Sequence, residues 1–376
     1  MKKCVIISDS FKGTLSSLEI CEIARQSIPR FFPACEVVAT PVADGGEGTV
    51  LCFLQALQAQ PVVLDVSGPY GEIIPVVYCR SGCLAVIEMA TAAGLPMVEG
   101  RKHPGRTTTY GVGQQIRHAV EHGCTKILLG LGGSCTNDGG CGAASALGTE
   151  FLRKNGTKFV PVGETLDQIA HIDTTKARQF LAGIQITAMC DVDNPLFGPH
   201  GAAYIFAPQK GASPSDVVLL DNQLKALDSV IRSDLGLSLG SMPGTGAAGG
   251  MGAGCVAFLG GTLKSGIESV LDVVDFDRQL KGADLVITGE GRIDTQSVHG
   301  KVISGIAKRT SVQKIPLIVI AGSIAPGAEA LYELGVTAMF GTDRQAVGFP
   351  EVSAHARENY QKTMEDILRL IQAKIS

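Results

Sequence analysis

The sequence contains no tryptophan and carries little net charge, and these features exclude several classes of protein. Its 376 residues have a formal charge of −4 and no basic stripe, so we expect no nucleic-acid partner. No apolar segment reaches the roughly 18 residues that a membrane-spanning helix needs. The apolar run after Lys2 and Lys3 is also too short for a signal peptide. We therefore expect a cytoplasmic protein that makes no membrane contact.

Cysteine and histidine are present, but without the spacings that bind metals. None of the eleven cysteines forms a Cys-x-x-Cys pair, and several, such as Cys4 and Cys255, lie inside apolar runs. This placement is typical of small core residues in a reducing compartment. The seven histidines include no His-Glu-x-x-His motif. His118 and His122 are four residues apart on a predicted helix without an evident third ligand, so the pattern indicates no histidine metal site.

The two common nucleotide fingerprints are also missing. Residues 244–249 match Gly-x-Gly-x-x-Gly, but Pro243 precedes them and no hydrophobic strand leads into them, so we reject a dinucleotide fingerprint. Gly300-Lys301 resembles the end of a Walker A motif. However, Thr295 stands where its first glycine belongs, and Val302 replaces the required Ser or Thr. A phosphate site in this chain must therefore use another loop.

Glycine is abundant, at 47 of 376 residues, against roughly 7% in proteins generally. The densest stretch, residues 126–142, reads KILLGLGGSCTNDGGCG and begins as a short apolar strand. Glycine allows backbone N–H groups to face a ligand, and such loops after strands hold anions, above all phosphates. We predict a phosphate-binding loop here, in which Asp138 is a candidate metal ligand. The alternative is a set of tight turns that need positive φ.

Apolar runs alternate with helical patterns over most of the chain, which predicts an α/β fold. Ser16 is predicted to cap the first helix, and Glu19 stands at the capping-box position. Residues 61–88 differ, because three β-rich runs separated by Gly, Pro and Ser predict an antiparallel meander. The apolar strand near Ile127 fits either half of this pattern.

The order of these elements predicts two domains. We expect a Rossmann-like parallel-sheet domain built from both chain ends, residues 1–60 and 281–376. Residues 61–280 are expected to form an inserted, mixed α/β domain. We find no internal repeat and no low-complexity linker that marks the boundaries more sharply.

Five predicted strand ends carry polar, glycine-rich sequence. They are DSFKG (9–13), ADGGEGT (43–49), GLGGSCTNDGG (130–140), CDVDNPL (190–196) and TGEGRIDTQS (288–297). In open parallel sheets, ligands bind where the loops at the carboxyl ends of strands converge. Taken singly, each aspartate in these loops reads equally well as a turn former or helix cap. Together with Lys12 and Arg292 they favour a cleft that holds a polyanion and Mg²⁺.

These segments carry a family resemblance. The matching stretches are DSFKGTLSS (9–17), PVADGGEGT (41–49), TTYGVGQQI (108–116), GLGGSCTNDGG (130–140), CDVDNPL (190–196), FAPQKGA (206–212), GAAGGMGAG (246–254) and TGEGRIDTQSVHGK (288–301). In this order they resemble the bacterial glycerate kinase family of type I, which serves glucarate and glyoxylate metabolism. The resemblance extends from Asp9 to Gly322. One departure is His103-Pro104, where the family pattern has Asn-Pro, and it leaves a local contact open.

The resemblance implies ATP-dependent phosphorylation of D-glycerate, with 2-phosphoglycerate or 3-phosphoglycerate and ADP as products. It also implies a two-domain α/β architecture with the active site in the cleft between the domains. Two other classes remain open on the residues alone: an oxidoreductase or isomerase with another anionic cofactor, and a non-catalytic metabolite sensor. The sequence does not give the oligomeric state, so a homodimer also remains open.

The expected activity assigns roles to the polar residues. Asp191 is our first choice as Mg²⁺ ligand or base, and Asp294 is the second choice as base. The residues expected to act in catalysis are Asp191, Asp294 and Lys12, and the candidate metal ligands are Asp191 and Asp138. Those expected to bind nucleotide are Gly132, Gly133, Ser134, Asn137, Gly289 and Gly291. Those expected to bind glycerate are Ser10, Lys12, Asp44 and Arg292.

Overall fold

A computed structural model describes residues 1–43, 45–46, 48–298, 302–344 and 353–373 of the chain. By its contacts the chain divides into two compact units. The first unit comprises Met1–Asp44, Gln55–Leu57 and Ile267–Ser376, and the second comprises Gly45–Leu54 and Gln58–Gly266. The domain boundaries expected from the sequence, at residues 60 and 280, stay a prediction.

Strands and helices alternate along most of the chain. The strands are β1 (Lys3–Ser8), β2 (Glu36–Pro41), β3 (Gln60–Ser67), β4 (Ile73–Ser81), β5 (Leu84–Glu88), β6 (Lys126–Gly130), β7 (Glu150–Leu152), β8 (Lys158–Phe159), β9 (His171–Asp173), β10 (Gln185–Met189), β11 (Thr262–Lys264), β12 (Leu285–Ile293), β13 (Leu317–Ile324) and β14 (Ala338–Gly341). The α-helices are α1 (Ser17–Phe31), α2 (Thr49–Ala56), α3 (Ala90–Ala93), α4 (Tyr110–Glu121), α5 (Cys141–Leu147), α6 (Thr175–Phe180), α7 (Ala202–Phe206), α8 (Pro214–Leu235), α9 (Ala247–Leu259), α10 (Gly266–Val273), α11 (Phe276–Leu280), α12 (Val302–Gln313) and α13 (Ala356–Gln372).

The first unit is built on a five-stranded sheet in the order β14-β13-β12-β1-β2, in which all neighbouring strands are parallel. Val5 of β1 lies opposite Val286 on one side and Val38 on the other. Strands in such sheets are covered on both faces, which is why the apolar run Cys4–Ile7 is fully buried. The sheet draws its strands from both ends of the chain, as the sequence predicted.

Helix α1 begins where the sequence predicted, at a capping box. The Ser16 hydroxyl accepts the backbone N–H of Glu19 at 3.2 Å, and the Glu19 carboxylate accepts the backbone N–H of Ser16 at 2.9 Å. Two of the backbone donors that a helix start leaves unpaired are thereby satisfied. The apolar face of α1 packs against α13, and both contribute to the core of this unit, for example through Ile20 and Met364.

The second unit is built on a six-stranded mixed sheet in the order β11-β10-β6-β5-β4-β3. Strands β3, β4 and β5 form the predicted antiparallel meander. Strands β5, β6, β10 and β11 are parallel, so their carboxyl ends share one edge of the sheet. Ile127 lies in β6 and belongs to this unit, which settles the assignment that the sequence left open.

The α/β class is confirmed, but the sequence missed some smaller elements. Strands β7, β8 and β9 form a separate antiparallel sheet and are only two or three residues long, too short to show an alternating pattern. Strand β11 adds another short strand beside β10. In the part of the chain that the structure describes, no helix combines the length and apolar character required to cross a membrane.

Candidate functional site

The loop after β6, residues 131–140, lies against two other glycine-rich segments of the second unit. The backbone N–H of Gly132 donates to the carbonyl of Gly45 at 3.2 Å, and that of Gly139 donates to the carbonyl of Gly249 at 3.0 Å. A Cβ at Gly132 would lie 2.7 Å from backbone, and one at Gly249 would lie 2.0 Å from backbone. These glycines therefore let three backbone segments touch, a role that the sequence did not reveal.

This packing corrects part of the predicted phosphate loop. The N–H of Gly132 was expected to face a ligand, but it is occupied by the Gly45 carbonyl, and the N–H of Cys135 is occupied by the carbonyl of Ala93. Gly133 differs, because it is exposed and adopts a left-handed conformation with φ of 72°. The part of the loop open to a ligand is thus Gly133 and the neighbouring Ser134, which is 7% exposed.

Asp138 is enclosed by this loop and by the start of α4. Its side chain accepts the N–H and hydroxyl of Thr109, both at 2.8 Å, and the N–H groups of Gly140 and Gly142 at 3.1 and 3.2 Å. Burial raises the pKa of this fully buried carboxyl, although the hydrogen bonds oppose the rise. Because its acceptor positions are occupied by protein donors, the geometry speaks against the predicted metal role and gives Asp138 a structural one.

Two polar side chains of the same loop have no hydrogen-bond partner among the described residues. The Thr136 hydroxyl, and both polar atoms of the Asn137 amide, make no hydrogen bond to any described residue, although both residues are fully buried. An unsatisfied buried polar group costs about 1–3 kcal/mol. In native structures such groups commonly mark a bound water or ligand. Asn137, predicted to bind nucleotide, therefore lies in a part of the loop that has unused hydrogen-bonding capacity.

Lys210, in the segment before α8, contacts this loop. It was not among the site residues predicted from the sequence. Its ammonium donates to the Ser134 hydroxyl at 2.8 Å and to the carbonyl of Thr136 at 2.7 Å. The residue is 2% exposed, and burial lowers its pKa to about 8. One signal was available: Lys210 is the single Asp, Glu, Lys or Arg between Asp193 and Asp216.

Two acidic residues lie at the shared carboxyl edge of β5, β6 and β10. Asp191 is exposed, and its carboxylate accepts the hydroxyl of Ser265 at 2.9 Å and the N–H of Gly266 at 2.8 Å, at the start of α10. Glu88 was not among the site residues predicted from the sequence. It is buried and accepts the N–H of Val50. The contact with Gly266 at a helix start agrees with the alternative role of Asp191 as a helix cap. Its side chain is nevertheless exposed, so a ligand can reach it.

The described residues contain no cluster of three or more His, Cys, Asp or Glu side chains arranged to hold a metal ion. Mg²⁺ is usually held by one or two carboxylates together with water and substrate phosphates. Asp191, an exposed carboxylate at a strand end, is of the kind that this binding mode uses.

In the first unit, the loop after β1 lies against β12. The backbone N–H of Asp9 donates to the carbonyl of Gly289 at 3.0 Å, and a Cβ at Gly289 would lie 1.9 Å from a backbone oxygen of β13. A Cβ at Gly291 would lie 3.2 Å from the Cα of Phe11. Ser10 donates its N–H to the Asp9 carboxylate at 2.7 Å. Gly289 and Gly291 therefore serve close packing at this sheet edge.

Two exposed cations flank this contact. Lys12 is at the tip of a tight loop in which the N–H of Phe11 donates to the carbonyl of Leu15 at 2.7 Å. Within the described residues Lys12 has no ion-pair partner. Arg292 is 70% exposed, and its Nε lies 3.9 Å from the Asp294 carboxylate, which is a weak surface pair. Both cations are available for an anionic ligand.

The predicted site residues thus fall into two groups. The first unit holds Ser10, Lys12, Gly289, Gly291, Arg292 and Asp294. The second unit holds Gly132, Gly133, Ser134, Asn137, Asp138 and Asp191. Asp44 lies outside the described residues. Each group lies at the carboxyl edge of the parallel strands of its sheet, or in the loops that follow them, where ligands of α/β proteins bind.

Comparison with known proteins decides the family. The model of the glycerate kinase family matches residues 4–372. The chain belongs to the glycerate kinase family. A glycerate kinase of Bacillus cereus is 43% identical over 368 residues, 97% of each chain. The glycerate 2-kinase of Escherichia coli is 43% identical over 341 residues, 90% of each chain. A Salmonella typhimurium LT2 crystal structure, provisionally named glycerate kinase 2, aligns with a TM-score of 0.89 at 38% identity, covering 99% of this chain and 98% of that one.

Membership of the glycerate kinase family confirms the resemblance that the sequence motifs carried. It makes the protein a kinase, and kinases of this family use ATP as phosphoryl donor. The oxidoreductase or isomerase interpretation is thereby displaced, because it does not account for a family match over nearly the whole chain. The sensor on a kinase scaffold is displaced by relatives that are named as glycerate kinases and match over 90% or more of both chains. The structural neighbour confirms the α/β fold class over the same length.

Proposed function

We propose that this protein phosphorylates D-glycerate on O2, with MgATP as donor, to give 2-phosphoglycerate and ADP. Glycerate kinase activity follows from the family, and the match over residues 4–372 is the observation that carries it. For the position of the phosphate, support comes from the Escherichia coli relative named glycerate 2-kinase, which is similar over 90% of both chains. Phosphorylation on O3 is the alternative.

The loop at Gly133 and Ser134 is proposed to hold the phosphates of ATP. Gly133 is exposed with a left-handed backbone, Ser134 offers a hydroxyl, and the Lys210 ammonium lies 2.8 Å from that hydroxyl. Donors and positive charge of this kind stabilise a phosphate. Asn137, whose buried amide has no hydrogen-bond partner among the described residues, is a further proposed contact of the bound nucleotide. Gly132, Gly289 and Gly291 contribute by letting the backbone pack closely at the two sheet edges.

Phosphoryl transfer requires positioning and charge neutralisation more than covalent chemistry by the protein. Asp191 is the proposed Mg²⁺ ligand, and the ion, when bound, neutralises phosphate charge. Asp191 or Asp294 is the proposed base that accepts the proton of the glycerate hydroxyl. Lys12 and Arg292 are proposed to bind the glycerate carboxylate or the γ-phosphate, since both are exposed cations. Ser10 and Asp44 remain proposed glycerate contacts, and the cleft between domains remains a prediction.

A coupled assay of ADP release tests this proposal. The purified protein is incubated with MgATP and, in separate reactions, D-glycerate, L-glycerate, glycolate and D-lactate. We expect ADP release with D-glycerate far above the other acids, and loss of activity when EDTA removes Mg²⁺. Glycolate and D-lactate are informative controls because each keeps the carboxylate and one hydroxyl of the substrate. Equal ADP release without an acceptor, or with D-lactate, would contradict the proposed substrate.

A further inference from the structure

Lys210 is a buried cation for which the described residues provide no ion-pair partner. The residue is 2% exposed, and the two hydrogen bonds of its ammonium go to neutral oxygens, the Ser134 hydroxyl and the carbonyl of Thr136. Cys135 and Asp138 act on the pKa of Lys210 through their charges. However, no described carboxylate lies within 4.0 Å of its ammonium, the distance that defines an ion pair. Burying an uncompensated charge opposes folding. The presence of this lysine is therefore better explained by a ligand than by stability.

The contact with Ser134 determines what that hydroxyl can offer a ligand. A serine hydroxyl has one donor and two acceptor positions. Because the Lys210 ammonium occupies an acceptor position at 2.8 Å, the O–H of Ser134 remains available as a donor. No described residue accepts that proton. The preceding residue, Gly133, is exposed, so the donor lies at the part of the loop that a ligand can reach.

We propose that Lys210 is a positioning residue that acts through Ser134 and makes its hydroxyl a donor to the phosphoryl groups of the nucleotide. The proposal rests on the proposed function, which places the nucleotide phosphates at this loop. Lys210 fixes the orientation of the hydroxyl through a charge-assisted hydrogen bond and places a positive charge behind it. It also holds the Thr136 carbonyl, so the loop keeps its shape when the ligand leaves.

Four variants test the coupling between the two side chains. They are Lys210→Met, which keeps length and removes charge; Ser134→Ala; the double variant; and Lys225→Met, an exposed lysine of α8 that serves as matched control. Isothermal calorimetry gives the Kd for MgADP, and kinetics give the KM for ATP and for D-glycerate. Circular dichroism checks that each variant is folded. If Lys210→Met fails to fold, Lys210→Gln replaces it, since its amide keeps a donor group. The effect of Lys210→Gln is then measured in the parent and in Ser134→Ala.

We expect Lys210→Met and Ser134→Ala each to weaken MgADP binding about tenfold, which corresponds to about 1.4 kcal/mol, because each removes the charge-assisted donor to the phosphates. The double variant should bind no more than about twofold more weakly than the weaker single one, because both changes remove the same donor. The KM for D-glycerate should stay unchanged, and Lys225→Met should match the parent. A lysine with only a structural role would not separate the two KM values in this way.

Three results overturn the proposal, and they point to different errors. If Ser134→Ala weakens MgADP binding but Lys210→Met does not, the nucleotide loop stands and the role of Lys210 is wrong. If the losses multiply in the double variant, the two side chains act independently. If Ser134→Ala leaves MgADP binding and the KM for ATP unchanged, the nucleotide phosphates are bound elsewhere, and the proposed function of this loop fails together with the role of Lys210.

Discussion

Gly249 offers the sharpest test of how the loop after β6 is held. It adopts a φ of +68° near the start of α9, and a Cβ there would lie 2.0 Å from the carbonyl oxygen of Thr136 and 2.6 Å from the Cα of Asn137. Its own carbonyl accepts the N–H of Gly139 at 3.0 Å. The substitution Gly249→Ala therefore forces two backbone segments apart at the position that orders the proposed nucleotide loop.

The magnitude follows from three contributions. Alanine in the left-handed region costs about 1 kcal/mol, overpacking against backbone about 1–3 kcal/mol, and loss of the hydrogen bond from Gly139 about 1 kcal/mol. Gly249→Ala should therefore lower the free energy of unfolding by about 3–5 kcal/mol, which corresponds to a fall in Tm of about 4–6 °C for a chain of 376 residues. The KM for ATP should rise in the folded fraction, since Asn137 is displaced.

Gly260 supplies the matched control at the other end of the same helix. It also has a positive φ, +63°, but a Cβ there would meet nothing within 4 Å. Gly260→Ala should therefore cost only about 1 kcal/mol, or about 1 °C in Tm. Differential scanning calorimetry of both variants isolates the close approach from the backbone conformation. Equal falls in Tm for the two variants would show that the close approach at Gly249 contributes nothing, because backbone strain alone would then explain both.

Three further predictions follow from the described contacts. Lys12→Ala should raise the KM for D-glycerate or ATP severalfold and leave Tm unchanged, because Lys12 is exposed; an unchanged KM for both substrates in steady-state kinetics would remove it from the site. Asp191→Asn should lower kcat and raise the Mg²⁺ concentration for half-maximal activity, and near-normal turnover across a Mg²⁺ titration would contradict its role. The pKa of Lys210, about 8 in the folded protein, lies below its ordinary value of about 10.4. The unfolded chain therefore binds more protons between these values, and the lysine should add stability as pH rises through this window. Its contribution is about 3 kcal/mol at most. Other groups titrate in both proteins, so the prediction concerns the difference: urea unfolding should show stability rising more steeply with pH in the parent than in Lys210→Met. Parallel pH curves would contradict it.

Local patterns in the sequence were enough to predict much of the fold. The buried run Cys4–Ile7 and the capping box at Ser16 and Glu19 depend on neighbours within a few positions, and the structure confirms both. The meander over residues 61–88 was predicted for the same reason, since its turns and strands follow one another directly. These elements are specified by short-range chemistry, so no knowledge of distant contacts was needed.

The site was less predictable because its contacts are long-range. Asp138 reads as a free carboxylate in the sequence, but Thr109, 29 residues earlier, supplies two of the donors that enclose it. Lys210 lies 76 positions from Ser134, and no periodic pattern connects them. Gly132 was assigned to nucleotide binding and Gly249 to no role, whereas both permit contacts between backbone segments that are far apart in sequence.

We have proposed that this member of the glycerate kinase family places a phosphoryl group on O2 of D-glycerate. Proton-coupled ³¹P NMR of the product from D-glycerate and MgATP tests it directly, because the phosphorus couples to the hydrogens on the carbon that bears it. A phosphate on O2 is attached to a carbon with one hydrogen and gives a doublet, which is the result we expect. A triplet would show a phosphate on O3, with its two hydrogens, and would contradict the proposed position. Absence of any phosphoglycerate signal would contradict the proposed reaction itself.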